Sequence, residues 1–400
     1  MITGVANSSN VDMKILFITH DASRTGAPIV LLHFLKWLRD HTATTFETVC
    51  LAGGEMLGKF EEVGAVHVVG DERSGVRRLR KLLRVKLERL DRLSVLAAKL
   101  TGNRYDLIYA NTIASVRAAV VLSRSDMGSP KIIAHIHEGM LAANRFAPDF
   151  LDYAQDVHRF IAASHLVARN LIKLGIDPDL IDVVYEFSTA HDRLLEAREP
   201  RKNPIFTVGG AGLVDWRKGP EFFLMVATHC KNHFPDMAIE FIWIGMVPEF
   251  ERAVIEEDIR KAGLENVRYV GQTENPGSFF KEIDVFLMTS REDPFPLVCI
   301  EVGQSSVPII CFEGATGTEE VLVEGGGKMV PYMDIQAMAN VIREYYQDRC
   351  KLALDGARAC ELFSKFTPAK ICPQILQILE ETRGAPTAVM QSVNFPICAN

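Results

Sequence analysis

The sequence predicts an α/β protein built of two doubly wound, Rossmann-like domains that face each other across an interdomain cleft. Three observations carry this expectation. Short continuous apolar runs alternate with stretches of helical period, the pattern of parallel strands covered by helices on both faces. The alternation breaks at a polar, charged stretch, residues 191–204 (HDRLLEAREPRKNP), and then restarts. The chain has 400 residues, more than one hydrophobic core usually serves. Apolar residues at 48% against 24% charged fit an ordinary globular protein with substantial cores.

In chain order, Lys14–Thr19 (KILFIT) is a buried strand, His20–Gly26 a loop, and Ala27–Arg39 a helix. Further strands are expected at Phe46–Leu51, Val66–Val69, Tyr105–Asn111, Lys131–His137 and Phe160–Ser164, with a helix ending near Gly175. These make an N-terminal domain over residues 1–190, with 191–204 as linker. The second domain, 205–365, has strands at Ile205–Val208, Ile239–Ile244, Val267–Val270, Val285–Met288 and Pro308–Phe312. Residues 366–383 read as a last helix that packs back on the first domain, and 384–400 as a tail. Ligands of such sheets bind at strand C-terminal ends, here facing the cleft.

Composition narrows the function classes. The net formal charge is −7, yet Arg73 to Lys99 holds ten Lys or Arg against two acids, so the remainder carries about −15. That asymmetry suggests a local anionic partner and no general affinity for nucleic acid. No apolar run reaches the ~18 residues of a membrane span, and the N-terminus lacks signal-peptide features. The eight cysteines are scattered without zinc spacing, as expected of free thiols in a reducing cytoplasm. Neither G-x-G-x-x-G nor G-x-x-x-x-G-K-[ST] occurs, which argues against a nicotinamide dehydrogenase or P-loop NTPase.

Two loops of the second domain carry chemistry. Gly209-Gly-Ala-Gly212 reads as a glycine-rich turn leading into Asp215-Trp-Arg-Lys-Gly219, just before a helix from Pro220 to Cys230. Arg217 and Lys218 at a helix start suit a diphosphate; a solvated basic loop is the alternative. The second loop is Ser290-Arg-Glu-Asp-Pro-Phe-Pro-Leu-Val-Cys-Ile-Glu301. Pro296 is tolerated in a first helical turn, where the amides of Leu297 and Val298 lack intrahelical acceptors. Glu292, Asp293 and Glu301 are acceptor-only when ionised and match sugar hydroxyls. Helix-terminal acids and a buried structural acceptor would explain the same residues.

Taken together, the segments resemble the family 4 glycosyltransferases, retaining enzymes of the GT-B fold. That family is marked by two glutamates separated by seven residues, and Asp293 and Glu301 have this spacing, with Asp at the first position. Asp21–Pro28, Ala110–Thr112, His135–Glu138, Trp216–Gly219, Ser290–Val298 and Gly314–Gly317 resemble a bacterial subset in the same order. The resemblance implies that Lys218 and Arg217 hold the donor diphosphate, that Glu301 binds the nucleotide ribose, and that Asp293 meets the sugar hydroxyls. It further implies that the Phe295–Val298 backbone lines sugar and phosphate, and that His137, followed by Glu138, faces the sugar from the first domain. Gly26 and Ala27 match a loop that admits substrate. Two departures stand out: Leu213 occupies a place that is often arginine, and the first acid is Asp with Glu292 beside it.

The implied reaction moves a sugar from a nucleotide diphosphate, a UDP- or GDP-sugar, to a sugar or lipid-linked glycan hydroxyl, with no metal and no cofactor. His137, Asp293 and Lys218 would form its reacting centre, in bacterial surface polysaccharide or glycolipid synthesis. His135 and His137 share a strand face that could hold a metal, and Asp177-Pro-Asp179 matches a short metal pattern, but packing and a turn account for His135 and the aspartates. Leucines at 79, 82, 83, 87, 90 and 93 of the basic segment have helical spacing, suited either to an anionic membrane surface at the cytoplasmic face or to packing. A silent sugar-nucleotide binder and a GT-B epimerase are the rival functions.

Overall fold

The computed structural model describes residues 13–70, 92–189, 205–273 and 275–384. Each half is an all-parallel sheet with helices between the strands, so the protein is an α/β chain of two Rossmann-like halves. The first sheet comprises β1 (Lys14–Thr19), β2 (Thr45–Cys50), β3 (Ala65–Val68), β4 (Leu107–Asn111), β5 (Lys131–Ile136), β6 (Arg159–Ala162) and β7 (Ile181–Val183). Its spatial order is β3-β2-β1-β4-β5-β6-β7. The second comprises β8 (Phe206–Ala211), β9 (Ile239–Ile244), β10 (Val267–Gly271), β11 (Val285–Met288), β12 (Ile309–Phe312) and β13 (Gly327–Val330), ordered β10-β9-β8-β11-β12-β13.

Strand order reverses between β1 and β4 in the first sheet, and between β8 and β11 in the second. Loops leaving neighbouring strands part at such a point and open a crevice at the strands' carboxyl ends. The loops after β1 and β4 therefore face the first crevice. Those after β8 and β11, which hold Arg217, Lys218 and residues 289–296, face the second.

Three features differ from the sequence reading. Gly209 and Gly210 belong to β8 and do not form a turn. A Cβ at Gly209 would lie 2.5 Å from Ile283 Cδ1, and one at Gly210 2.4 Å from Trp243 Cε3, so packing across the sheet demands both glycines. Strands β7 and β13 also escaped notice. The first has three residues with Asp182 at its centre, held by Arg159 at 2.8 Å; the second begins directly after Gly325-Gly326, which reads as loop.

Seven helices matter below: α1 (Gly26–His41), α2 (Met140–Phe146), α3 (His165–Lys173), α4 (Pro220–His233), α5 (Leu297–Gln304), α6 (Arg349–Phe363) and α7 (Pro368–Gly384). Helix α7 returns to the first half. Its Ile371, Ile375 and Leu379 share a buried cluster with Leu31 and Leu35 of α1 and Ile133 of β5. Lys131 Nζ donates to the Thr382 carbonyl at 2.9 Å, and Arg383 pairs with Asp106 at 3.2 Å. Most of the basic segment 73–99 lies outside the described residues. At its described end Leu93 and Leu96 are buried in the core of the first half, while Val95 is exposed. No helix among the described residues is long and apolar enough to cross a membrane.

Candidate functional site

The two loops at the second switch point are laced together by backbone and side-chain bonds. Arg291 N donates to the Arg217 carbonyl at 2.8 Å, and Thr289 Oγ1 to the Lys218 carbonyl at 3.1 Å. Arg291 extends back, donates to the Trp216 carbonyl, pairs with Glu221 and lies 4.4 Å over the Phe222 ring. Between the loop and α4 stands Gly219, left-handed at φ 62°, with Pro220 as the first helical residue. A side chain at Gly219 would be strained, and its Cβ would lie 2.3 Å from the Thr289 carbonyl oxygen. The loop therefore delivers Arg217 and Lys218 to one fixed place.

That place is Asp293. Lys218 Nζ donates to Asp293 Oδ2, Arg217 Nη1 lies 3.3 Å from the same oxygen, and Ser290 Oγ donates to it at 3.3 Å. Asp293 is only 6% exposed and Lys218 9%. Burial would raise the Asp293 pKa, but the charges of Lys218 and Arg217 outweigh it and hold the carboxyl below its ordinary range. Lys218 and Arg217 thus converge on one carboxylate oxygen, and Asp215 and Glu292 also act on Arg217.

Glu292, one residue earlier, points elsewhere. Its carboxylate accepts from the amides of Leu141, at 3.1 Å, and Ala142, at 3.2 Å, in the first turn of α2. It thus joins the two halves. The Phe295 side chain is buried between Tyr185 and Phe366, with ring centroids 4.8 and 5.0 Å away, so this residue offers a ligand only its backbone. Pro296 is the N-cap of α5, one position earlier than the sequence suggests, and Leu297 and Val298 open the first turn. Glu301 is half-buried and accepts from Ser188 Oγ at 3.0 Å.

The first half supplies the opposite wall. His137 follows β5; its Nδ1 meets Glu186 Oε1, and its Nε2 lies 3.0 Å from Asn111 Oδ1. Asn111, at the end of β4, donates its Nδ2 to the Ala27 carbonyl at 3.0 Å, which turns Oδ1 toward His137 and makes Nε2 a donor. Burial disfavours charge on His137, yet Glu186 beside it prevails and the imidazole pKa is raised. His135 is buried against Tyr109, its Nδ1 2.6 Å from the phenol oxygen, and burial keeps it neutral. Glu138 braces this corner by accepting from the amides of Ile113 at 3.1 Å and His137 at 3.0 Å. Gly26 begins α1, and a Cβ there would meet no protein atom within 4 Å, so the space before the helix start is open.

Comparison with known proteins adds a decisive observation. The model of Glycosyltransferase Family 4 matches residues 25–187, and that of Glycosyl transferases group 1 matches residues 203–348. Both matched models describe glycosyltransferases and together they span most of the chain, whose fold is the GT-B fold. It is 28% identical over 213 residues to the lipopolysaccharide core biosynthesis mannosyltransferase LpsB of Rhizobium meliloti, covering 51% of this chain and 58% of that protein. It is 24% identical over 205 residues to a D-inositol 3-phosphate glycosyltransferase of Paenarthrobacter aurescens, covering 48% and 49%. The chain thus spans about half the length of these relatives. The structure of Anabaena Alr3699/HepE in complex with UDP and glucose superposes with a TM-score of 0.72 at 22% identity, over 92% of this chain and 99% of that one.

The sequence pattern marks the second-domain loops but leaves part of the first-domain wall unmarked. Asn111 and Glu186 were not assigned to a site, although each ends an apolar run, Leu107–Ala110 and Val183–Tyr185, with a polar side chain. The structure brings Arg217, Lys218 and Asp293 into contact, and gathers His137, Glu138 and Asn111 beside Ala27.

Proposed function

We propose that the protein is a retaining glycosyltransferase that moves a sugar from a UDP- or GDP-sugar to a hydroxyl of a sugar or lipid-linked glycan. The observation that carries the reading is the convergence of Lys218 and Arg217 on Asp293 beside the first turn of α5. When the bond from the anomeric carbon to the diphosphate oxygen breaks, its electron pair leaves with the diphosphate. Lys218, Arg217 and the Leu297 and Val298 amides stabilise that growing charge without a metal there. Retention places the acceptor hydroxyl on the departing face, where a released diphosphate oxygen takes its proton as the new glycosidic bond forms. Asp293 meets the sugar hydroxyls, and Glu301 the ribose. His137, both of whose ring nitrogens are engaged, acts as a fixed wall to the sugar and not as a mobile proton carrier.

The relatives support a surface-glycan setting: one acts in lipopolysaccharide core biosynthesis, and a structural neighbour was solved with UDP and glucose. A cytoplasmic enzyme at the inner membrane face, held there by residues 73–99, fits a lipid-linked acceptor. Binding to vesicles that ignores both anionic lipid and salt would overturn that attachment. The activity itself is tested with a panel of UDP-, GDP- and ADP-sugars. Slow hydrolysis of one donor supports transfer; an isomerised donor would instead mean an epimerase, and tight binding of unaltered donor a silent binder. Lys218→Ala should weaken binding of that donor about 10- to 100-fold, the value of a charge-assisted hydrogen bond.

A further inference from the structure

Behind the first-domain wall lies a side-chain cluster that the transfer reaction leaves unexplained. His135, His137 and Glu186 place three ligand-type atoms within 4.8 Å of one another. His135 is 1% exposed and Glu186 5%. Two of their polar atoms, His135 Nε2 and Glu186 Oε2, are buried and have no hydrogen-bond partner. A buried polar atom without a partner costs about 1–3 kcal/mol, so two in one cluster call for an explanation.

The outer atoms of both rings are already fixed. Asn111 Oδ1, held in orientation by the Ala27 carbonyl, takes the Nε2–H of His137 and leaves Nδ1 pointing at Glu186. The Tyr109 oxygen sits on His135 Nδ1 and can accept its proton, leaving Nε2 with a free lone pair. Each imidazole is thus anchored through one nitrogen, which leaves the other for a further partner, the arrangement that outer hydrogen bonds impose on metal-ligating histidines. Two imidazoles and one carboxylate form a donor set for a divalent transition cation, zinc being the simplest.

We propose that His135 Nε2, His137 Nδ1 and the Glu186 carboxylate bind one divalent transition cation, of which Zn2+ is the type, with Tyr109 and Asn111 as its outer hydrogen-bond partners. Zinc bonds of about 2.0–2.1 Å set tetrahedral ligand atoms about 3.3 Å apart. Glu186 Oε1 and His137 Nδ1 are closer than that, and the widest pair is farther, so side-chain shifts on the order of an ångström complete the site. The cation replaces the proton between His137 and Glu186 and keeps the His137 ring where the sugar wall needs it. The inference concerns metal binding and stands whether or not the transfer reaction is as proposed.

The full-length protein, stripped with a chelator and dialysed, is titrated with Co2+ alone and with Zn2+ alone. Cobalt absorption and calorimetry follow binding, and thermal melts follow folding. The surface pair His229 and His233, stacked 4.2 Å apart on α4, is the obvious adventitious site and serves as control. One equivalent of cation should bind. His135→Ala and Glu186→Gln should each weaken it at least about 10-fold, Tyr109→Phe about 10-fold, and His233→Ala not at all. Zn2+ should raise the melting temperature of the parent protein but not that of Glu186→Gln. Binding lost in His233→Ala but kept in His135→Ala, or no stoichiometric binding to the parent protein, would overturn the site and leave a plain imidazole–carboxylate pair. Should a variant fail to fold, Tyr109→Phe, which keeps the ring and removes only the outer oxygen, carries the test.

Discussion

Asp293 and Glu292 are neighbours with opposite duties, and single substitutions separate them. Asp293 neutralises two largely buried cations, so Asp293→Ala leaves Lys218 and Arg217 uncompensated. Breaking such a pair typically costs about 3–5 kcal/mol. The ligand-free variant should therefore melt well below the parent, and UDP, whose diphosphate restores an anion to the two cations, should raise its melting temperature more than the parent's. An equal UDP shift in both would show that these cations do not hold the diphosphate. The pair also sets an acid limit. Because the folded pKa of Asp293 lies below its unfolded value of about 3.9, its stabilisation is complete above that value. It is lost as the pH falls through the lower folded value, so the stability gap between parent and Asp293→Ala should narrow in acid below about pH 4. The spacing of Asp293 and Glu301 singled out Asp293 over Glu292, and the two side chains do have different partners. Only Asp293 reaches the cations; Glu292 is committed to the amides of Leu141 and Ala142.

At the scale of elements, periodicity carried the reading where strands were long and apolar, and failed where function or packing bent the pattern. Lys14–Thr19 and Ile239–Ile244 were visible because most of their residues are apolar and buried on a covered sheet. Strand β7 was not, since its central Asp182 is compensated by Arg159, 23 residues earlier in the chain, information no local window holds. Gly209 and Gly210 mimic a phosphate-binding turn, yet Ile283 and Trp243 explain them. The first-domain wall was legible in part for the same reason: His137 stood out, but Asn111 and Glu186 come from two other strand ends, and only the sheet order brings them to it. Helix α7 gives this scale its prediction. It buries Ile371, Ile375, Ile378 and Leu379, each contributing roughly 1.5–3 kcal/mol relative to exposure. Truncation after Thr367 should thus destabilise the first half, from which α7 would be missing, by several kcal/mol. Differential scanning calorimetry should show its transition moving down while a transition of the second half persists. A single unshifted transition would mean that α7 contributes little to the first core.

Across the whole molecule, the two halves are held together by carboxylates of the second set against backbone donors of the first. Glu292 caps the first turn of α2. Glu320 accepts from the amides of His165, at 3.0 Å, and Leu166, at 2.7 Å, at the start of α3, and from Tyr185 Oη at 2.9 Å. Helix N-termini favour an anion, and such a cap is worth about 0.5–2 kcal/mol. The two caps together therefore contribute about 1–4 kcal/mol to holding the halves against each other, beside the Phe295–Tyr185 contact and the α7 packing. Glu292 lies one residue from the acid that pairs with Lys218 and Arg217, and its carbonyl accepts from Arg217 at 3.2 Å, so the cap and the cations are tied together. On the proposed function, a diphosphate that draws Arg217 would act through this bond on the loop that grips α2. The double variant Glu292→Ala/Glu320→Ala should open the cleft, seen as a larger radius of gyration in solution scattering of the ligand-free protein. Added UDP should bring the parent and the double variant closer together, because the ligand draws the second-domain loop back toward the first-domain wall. Scattering identical for parent and variant would assign the closure to the α7 packing alone and leave the two glutamates as local caps.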